Sequence, residues 1–149
     1  TSLDNLAGED HKMHRAYYVP VVSTVTAGDT GAILEESNIM YMVPVAEKPT
    51  PTSIMVEVSG DSMTRDRGRS INPGDLVYID TKETIVFDGD LVVVTTLDGR
   101  QLVKQYLNRD KETIELRSFN PEYPPIYLPK SEIVNFFRVL QVHPKIWKA

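Results

Sequence analysis

The chain has 149 residues, a formal net charge of −5 at pH 7, 41% hydrophobic residues and no cysteine. A chain of this length buries roughly two thirds of its unfolded surface, so one globular domain needs no disulfide or structural metal. Without cysteine, a disulfide scaffold and a thiolate metal site are both excluded. The negative charge opposes binding to a phosphate backbone, and we find no convincing basic patch in the sequence that reverses it.

Residues 1–18 are predicted to be a linker or tail, and residues 19–149 a single domain. The first fifteen residues are polar, lack apolar periodicity and do not begin with methionine, which is typical of a segment that continues a longer chain. They contain no apolar core of a secretory signal, and no apolar run approaches the about 20 residues of a membrane-spanning helix. We therefore expect a cytoplasmic protein without membrane contact.

Short apolar segments punctuated by Pro, Gly, Asn and Asp recur about every 8–12 residues from residue 17 onward. This spacing is typical of an all-β domain, and helical periodicity is nearly absent. The predicted strands lie at residues 17–23, 39–43, 53–59, 75–80, 91–96, 101–107, 113–117 and 134–142. Pro73-Gly74 predicts a type II turn, and Asp98-Gly99 predicts a two-residue hairpin loop.

The first segment that can carry chemistry is SGDSM, from Ser59 to Met63. Gly60 lets the chain turn sharply after an apolar β-like run, so Ser62 can stand at a strand end beside backbone N–H groups that bind an oxyanion. Gly-Asp-Ser is also ordinary turn composition, and these residues alone favour that simpler interpretation.

The second segment is the strand predicted at residues 101–107, where alternation places Leu102, Lys104 and Tyr106 on one face. A lysine among large, mostly apolar side chains has its charged form disfavoured, so its pKa of about 10.4 falls on burial. The neutral amine can then act as a general base. The alternative is a lysine that reaches solvent from a half-buried edge strand, which is the more common fate of a strand lysine.

The third segment, residues 19–31, is an apolar β-like run that ends in small residues around Ala27-Gly28. Small side chains let a backbone enter a narrow cleft, so Ala27-Gly28 is a candidate scissile bond, although a plain loop explains it equally well. A Ser-His-Asp triad is disfavoured because two of the three histidines lie in the polar tail and the third near the carboxy terminus. The tail pair lacks a third ligand nearby, so we predict no metal site.

Two further groups of residues have simple interpretations. Arg65, Arg67 and Arg69 follow SGDSM directly, but they alternate with polar residues and are predicted to form a solvated loop. Phe136 and Phe137 point to opposite faces of one strand. Since only one face is expected to enter the core, the other predicts a homodimer surface near the carboxy-terminal strand.

Taken together, these segments resemble the self-cleaving carboxy-terminal domain shared by LexA and lambda-type phage repressors, the S24 peptidase family. The resemblance runs from about residue 19 to residue 142. Five motifs in order and spacing carry it: Ala27-Gly28, Val58-Ser59-Gly60-Asp61-Ser62-Met63, Pro73-Gly74-Asp75-Leu76-Val77, Gly89-Asp90-Leu91-Val92 and Leu102-Val103-Lys104.

The resemblance implies a mostly antiparallel β fold in which Ser62 is the nucleophile and Lys104 the general base. The bond cut is then Ala27-Gly28 of the same chain, and the oxyanion hole is built from backbone N–H groups of Asp61, Ser62 and Met63. It also implies a homodimer, a RecA filament as the activating partner, and contact with operator DNA only through an amino-terminal helix-turn-helix domain outside this chain. No cofactor or metal is expected.

Two alternatives and one departure accompany this resemblance. A UmuD-like polymerase accessory protein has the same domain after a short amino-terminal arm, and a dimerisation module would use Ser62 and Lys104 only structurally. Bacterial signal peptidases also use a Ser-Lys pair, but they need a membrane anchor that this sequence does not contain. The connection at residues 64–73 is longer than usual, which is expected to alter the rim of the site or the dimer contact.

Overall fold

The computed structural model describes residues 16–22 and 39–145, and within them the chain forms nine β-strands. These are β1 (Tyr17–Val22), β2 (Ile39–Val45), β3 (Ser53–Glu57), β4 (Leu76–Asp80), β5 (Leu91–Thr96), β6 (Gln101–Asn108), β7 (Thr113–Arg117), β8 (Ile126–Pro129) and β9 (Ile133–His143). A 3-10 turn, Lys130–Glu132, leads into β9. The predicted all-β class is confirmed. No helix of the described residues is long and apolar enough to cross a membrane.

All nine strands belong to one sheet, in the order β2-β1-β3-β4-β9-β5-β6-β7-β8. Neighbouring strands are antiparallel except β1 and β3, which run parallel through Val21 and Val22. We call β1–β4 the first half of the sheet and β5–β8 the second half. The long strand β9 joins them, since its carboxy-terminal part pairs with β4 and its amino-terminal part pairs with β5.

The main core lies between the two halves of the sheet and draws apolar side chains from both. Its buried members are Val22, Ile54, Val56, Val58, Met63, Ile71, Val77, Ile79, Leu91, Val93, Phe119 and Phe137. A second cluster covers the other side of the second half with Val92, Val94, Tyr106, Ile114, Leu116 and Leu128. Burial of one such aliphatic side chain contributes roughly 1.5–3 kcal/mol to the stability of the fold. The two clusters therefore stabilise the packing of the two halves of the sheet.

Burial on both faces explains the sequence of β5, which is apolar without alternation. Its residues Leu91 and Val93 enter the main core, whereas Val92 and Val94 enter the second cluster. Every residue of β5 is buried. A strand covered on both faces is expected to read as a continuous apolar run.

The same two-sided burial corrects the argument made from the two phenylalanines of β9. Phe137 is buried in the main core, and Phe136 packs against the second cluster with its ring 5.0 Å from that of Tyr106. The expectation that only one face of this strand enters the core is wrong. Phe136 and Phe137 therefore give no argument for a dimer surface.

All eight predicted strands are present, and β8 was missed. Their bounds agree to within two residues wherever the structure describes them. The prediction failed at β8 because Pro124, Pro125 and Pro129 surround the short segment and favour a loop. The last strand of the sheet order has a free edge, where a proline costs no ladder hydrogen bond.

One of the two predicted turns is confirmed and the other is longer than predicted. Asp75 donates its backbone N–H to the Asn72 carbonyl at 3.0 Å, and φ of Gly74 is 92°, as a type II turn requires. In the hairpin between β5 and β6, Gly99 donates to Thr96 and Thr96 donates to the Arg100 carbonyl. The loop therefore has three residues, 97–99, instead of the predicted two.

Candidate active site

Ser62 lies in a tight loop that follows β3 and is anchored on both sides. The backbone N–H of Val58 donates to Asp75 at 2.8 Å, and the N–H of Gly74 donates back to Val58 at 2.8 Å. Gly60 adopts φ of 76°, which turns the chain, and the side chain of Met63 is buried in the main core. The loop thus leaves Ser62 half-buried at the end of the strand, as the sequence predicted.

Lys104 lies on β6 with its side chain almost completely covered. β6 is an interior strand between β5 and β7, and Lys104 is 5% exposed. Its Nζ lies 2.8 Å from Ser62 Oγ, which is 42 residues away in the chain. The same Nζ lies 2.8 Å from Ser118 Oγ. The alternative of a lysine extending to solvent from an edge strand therefore does not hold.

Burial lowers the pKa of Lys104 below its ordinary value, because the charged amine loses its hydration. The described residues offer it two serine hydroxyls, and no carboxylate of residues 16–22 or 39–145 forms an ion pair with it. The nearest aromatic ring, that of Tyr123, lies 5.7 Å from Nζ. A neutral amine against a hydroxyl is the arrangement needed to accept the proton of a serine nucleophile.

Residues 118–123, which follow β7, hold Ser62 and Lys104 in place, and we call them the positioning segment. Besides the contact of Ser118 with Lys104, the backbone N–H of Asn120 donates to the Ser62 carbonyl at 2.9 Å. Asn120 Nδ2 donates to the Asp61 carbonyl at 3.1 Å, and the Tyr123 hydroxyl donates to Asp61 Oδ1 at 2.5 Å. Sequence analysis missed this segment, because Ser-Phe-Asn-Pro after a strand has the composition of an ordinary turn.

Two depressions open beside these residues. A cavity of about 100 Å³ is lined by Ser62, Lys104, Val103 and Glu57, among others. A wider depression of about 610 Å³ lies between residues 64–67 and residues 119–122. The small cavity contains the candidate nucleophile and base, so it is the candidate site of chemistry.

The arginines after Met63 are solvated as predicted and also contact the positioning segment. Arg67 and Arg69 are exposed, and Arg65 is partly buried. The guanidinium carbons of Arg65 and Arg69 lie 4.6 Å and 5.5 Å from the centre of the Phe119 ring, which belongs to the positioning segment. Arg65 Nε also donates to the Arg69 carbonyl at 2.6 Å. Residues 64–73 therefore form a rim of the site.

Several predicted residues lie outside the described part of the chain. Ala27 and Gly28 fall within residues 23–38, and the two histidines of the tail fall within residues 1–15. The strands that flank residues 23–38 are described, however. Val22 of β1 pairs with Ile39 of β2, so both ends of that segment lie side by side.

The direction of β1 brings these ends towards Ser62. Because β1 and β3 run parallel and Val22 pairs with Val56, both strands end on the same side of the sheet. Residues 23–38 leave from the end of β1, and the loop that carries Ser62 leaves from the end of β3. The described residue that precedes the predicted cleavage segment, Val22, therefore lies at the end of the sheet from which the loop with Ser62 leaves.

An all-β domain that buries a lysine amine against a serine hydroxyl has the features of a serine-peptidase-type domain. A family model described as Peptidase S24-like matches residues 20–138. The chain belongs to the Peptidase S24-like family. The resemblance inferred from the five motifs is thus confirmed.

The chain is also similar to several proteins named LexA repressor. It is 30% identical over 142 residues to that of Halalkalibacterium halodurans, a match covering 93% of this chain and 66% of the relative. It is 30% identical over 140 residues to the LexA repressor of Desulfitobacterium hafniense, a match covering 90% of this chain and 65% of the relative. It is 32% identical over 140 residues to the LexA repressor of Staphylococcus carnosus, a match covering 89% of this chain and 64% of the relative. The chain spans just under two thirds of the length of these relatives and resembles the LexA carboxy-terminal domain.

Because Lys104 carries a buried charge, we expect Lys104→Met to raise the free energy of unfolding at neutral pH by about 0.5–2 kcal/mol, the usual range for a stabilising substitution. Burial lowers the pKa of Lys104 in the folded state. The free-energy cost of burying the charge is therefore complete below the folded-state pKa and disappears as pH rises to the unfolded value of about 10.4. The gain should therefore shrink between these two pKa values. Urea unfolding at pH 7, 9 and 10 measures it.

Both proteins compared in this experiment should carry Ser62→Ala, so that the self-cleavage expected from the sequence cannot interfere. Lys111→Met is the matched control, because Lys111 is exposed and its replacement is expected to change the unfolding free energy by less than about 0.5 kcal/mol. A loss of stability in Lys104→Met that is equal at all three pH values would contradict a buried, costly charge.

Proposed function

We propose that this domain cleaves its own Ala27-Gly28 bond with Ser62 as nucleophile and Lys104 as general base. The observation that carries the proposal is the 2.8 Å contact between a nearly buried Lys104 Nζ and Ser62 Oγ. The family to which the chain belongs supports a peptidase, and the resemblance to LexA repressors supports a repressor whose activity ends when the bond is cut.

In the proposed reaction, neutral Lys104 takes the hydroxyl proton while Ser62 Oγ attacks the Ala27 carbonyl carbon. The oxyanion forms at the carbonyl oxygen and accepts hydrogen bonds from backbone N–H groups near Ser62. Within residues 16–22 and 39–145, the N–H groups of Asp61, Ser62 and Met63 have no acceptor, which leaves all three available. The Lys104 ammonium then gives its proton to the departing Gly28 amine, and water releases the acyl group from Ser62.

Attachment of the substrate to the enzyme supports a reaction within one chain. Five residues lead from Val22 to Ala27 and extend at most about 18 Å. They start from the end of β1, on the same side of the sheet as the loop that carries Ser62. A well-oriented intramolecular reaction reaches effective concentrations of about 10⁵–10⁸ M, so a modest catalyst suffices for a single turnover.

The composition of Ala27-Gly28 supports this bond as the one that enters the site. Small side chains let a backbone enter a narrow cleft, and the cavity that contains Ser62 and Lys104 is the smaller of the two depressions at the site. Ala27-Gly28 is the first pair made only of alanine and glycine after β1.

The same proposal includes the domain organisation and the partners of a repressor. Residues 1–18 would connect this domain to an amino-terminal DNA-binding domain, and residues 19–149 would form the cleaving and dimerising unit. Operator DNA would be bound only by that other domain, in keeping with the net charge of −5 here. A RecA filament would act by favouring the state in which residues 23–38 occupy the cleft.

The proposed homodimer uses the carboxy-terminal part of β9. Residues 139–143 pair with β4 on one side, whereas the pairing of β9 with β5 ends at Arg138. Their second edge is therefore unpaired within the described residues, and Leu140 and Val142 are 40% and 39% exposed. An open strand edge with apolar side chains is a template for pairing with a second copy about a twofold axis.

Replacement of either proposed catalytic residue should abolish self-cleavage and leave the domain folded. Ser62→Ala removes the nucleophile and Lys104→Ala removes the base, yet neither interrupts a strand hydrogen bond. Incubation of the purified protein at alkaline pH, followed by mass spectrometry of the fragments, measures the cut and its position. Ser131→Ala, in the exposed 3-10 turn, is the serine control and should cut like wild type.

Fragments in wild-type amount from Ser62→Ala or Lys104→Ala would remove the assignment of these two residues. A fragment boundary away from Ala27-Gly28 would remove the assignment of the bond. In the unaltered chain, uncut protein at every pH would favour a dimerisation module.

The rate of self-cleavage should rise with pH from neutral and level off below about 10.4. Only the neutral amine of Lys104 accepts the hydroxyl proton, so the rate grows about tenfold per pH unit until its pKa is reached. Burial lowers that pKa, which places the plateau below the ordinary value. A rate that is flat from pH 6.5 upwards would instead indicate a base with the pKa of histidine.

Leu140→Glu should convert a dimer of the Ser62→Ala protein into a monomer, because it places two charges at the proposed twofold interface. Leu97→Glu is the matched control, since Leu97 lies at the tip of the β5–β6 hairpin and is 68% exposed. Light scattering at tens of micromolar measures the mass. If the parent protein is already monomeric there, or if both variants dissociate equally, the β9 interface is wrong.

A further inference from the structure

The proposed Ser62 and Lys104 pair leaves one polar neighbour unused. Ser118 Oγ lies 2.8 Å from Lys104 Nζ, the same distance that separates Nζ from Ser62 Oγ. Ser118 is only partly buried and stands next to Phe119, whose backbone N–H points to the Met63 sulfur at 3.4 Å. The Ser118 hydroxyl therefore contacts Lys104, and the backbone of the next residue contacts the loop that carries Ser62.

The register of the sheet shows why Ser118 meets the amine. β6 and β7 pair through Gln105 and Arg117, and the next position along both strands brings Lys104 opposite Ser118. On the other side, Lys104 pairs with Val92 of β5, which offers no hydrogen-bonding side chain. Among the side chains at these paired positions, Ser118 is therefore the one that can hold the amine.

We propose that Ser118 is a positioning residue that turns the lone pair of neutral Lys104 towards the Ser62 hydroxyl. This inference rests on the proposed function. A neutral amine has two N–H donors and one lone pair. When one N–H donates to Ser118 Oγ, rotation about the last side-chain bond is restricted, and the lone pair can face the proton of Ser62. Without Ser118, the amine rotates among orientations that do not accept that proton.

The rest of the positioning segment supports this role. Asn120 bonds the carbonyls of Asp61 and Ser62, and Tyr123 bonds the Asp61 carboxylate. The segment therefore holds the base through Ser118 and the nucleophile loop through Asn120. A misplacement of about 1 Å between reacting groups can lower the rate a hundredfold. A segment that contacts both Lys104 and the loop with Ser62 is therefore expected to increase the rate by fixing the distance between them.

Three ionisable groups surround the amine and bear on its titration. They are Tyr123, whose ring lies 5.7 Å from Nζ, Asp61, which accepts from the Tyr123 hydroxyl, and Glu57, which lines the same small cavity. Glu57 also accepts a hydrogen bond from Tyr41 at 3.1 Å. None of these contacts involves Ser118, so we expect a change in the titration of Lys104 in a Ser118 variant to report the loss of the Ser118 hydroxyl.

The test is the full pH–rate profile of self-cleavage in the purified domain with Ser118→Ala, Ser118→Thr and Ser118→Val. Thr and Val have the same shape, and only Thr keeps a hydroxyl. We expect the plateau rate to fall about ten- to a hundredfold in Ala and Val and to stay within about threefold of wild type in Thr. The midpoint of the profile should move to lower pH in Ala and Val. An ammonium donates a stronger hydrogen bond than a neutral amine, so loss of the Ser118 hydroxyl destabilises the charged form of Lys104 more than the neutral form and lowers its pKa.

The Thr and Val pair decides the question if Ser118→Ala does not fold, and thermal unfolding of each variant identifies such a case. Equal plateaus and midpoints for Thr and Val would overturn the role of Ser118. A faster plateau in Val would overturn it too, since Ser118 would then compete with Ser62 for the lone pair.

Failure of the proposed function gives a different result. Wild-type protein would then remain uncut under conditions in which all the variants are folded, or Ser62→Ala would be cut like wild type. A wild type that cuts, a Ser62→Ala that does not, and a Ser118→Val indistinguishable from wild type would reject only the positioning role.

Discussion

The site depends on the burial of one amine among hydroxyls. Lys104 is 5% exposed and has two serine oxygens at 2.8 Å, with no ion-pair partner among the described residues. A buried ammonium without a carboxylate is costly, and its pKa falls because the neutral form escapes that cost. A salt bridge at the same position would stabilise the fold and at the same time keep the lysine charged. Burial of Lys104 thus lowers the stability of the fold and favours the neutral amine that the proposed reaction needs.

The position of that amine is set by the way the sheet is joined. Ser62 follows a strand of the first half of the sheet, and Lys104 belongs to the second half. The two halves are connected through β9 and through the main core, to which Met63, Phe119 and Phe137 all contribute. The distance from Nζ to Oγ is therefore a consequence of packing between the halves. A cavity in this core would change the reacting distance even when it lies far from the cleft.

The positioning segment makes the same connection locally. Residues 118–123 contact Lys104, the loop that carries Ser62 and, through Phe119, the arginines of residues 64–73. Arg65 and Arg69 lie against a ring that is itself 6% exposed. Residues 64–73 therefore add contacts to the wall of the site and do not line the small cavity beside Ser62.

The sequence by itself determined the class of fold, eight of the nine strands of the described residues and the family. Turn chemistry and apolar runs act over a few residues, so the strand from Leu91 to Thr96 and the turn at Gly74 could be predicted locally. The order of the five motifs identified the family, which the match over residues 20–138 confirms. Strand alternation placed Lys104 on one face with Leu102 and Tyr106, but it left burial and exposure to solvent both open, and the structure shows that Lys104 is buried.

Tertiary structure alone decided which distant residues meet. β8 was missed because the prolines around it favour a loop, whereas Pro129 is tolerated in the last strand of the sheet order, and a sequence does not show which strand is last. Phe136 was misjudged because burial on both faces requires a second cluster from other strands. Ser118 was missed because its significance arises from pairing with β6 across the sheet. Local patterns specify periodicity and turns, whereas partners 14 or 42 residues apart are chosen by packing of the whole chain.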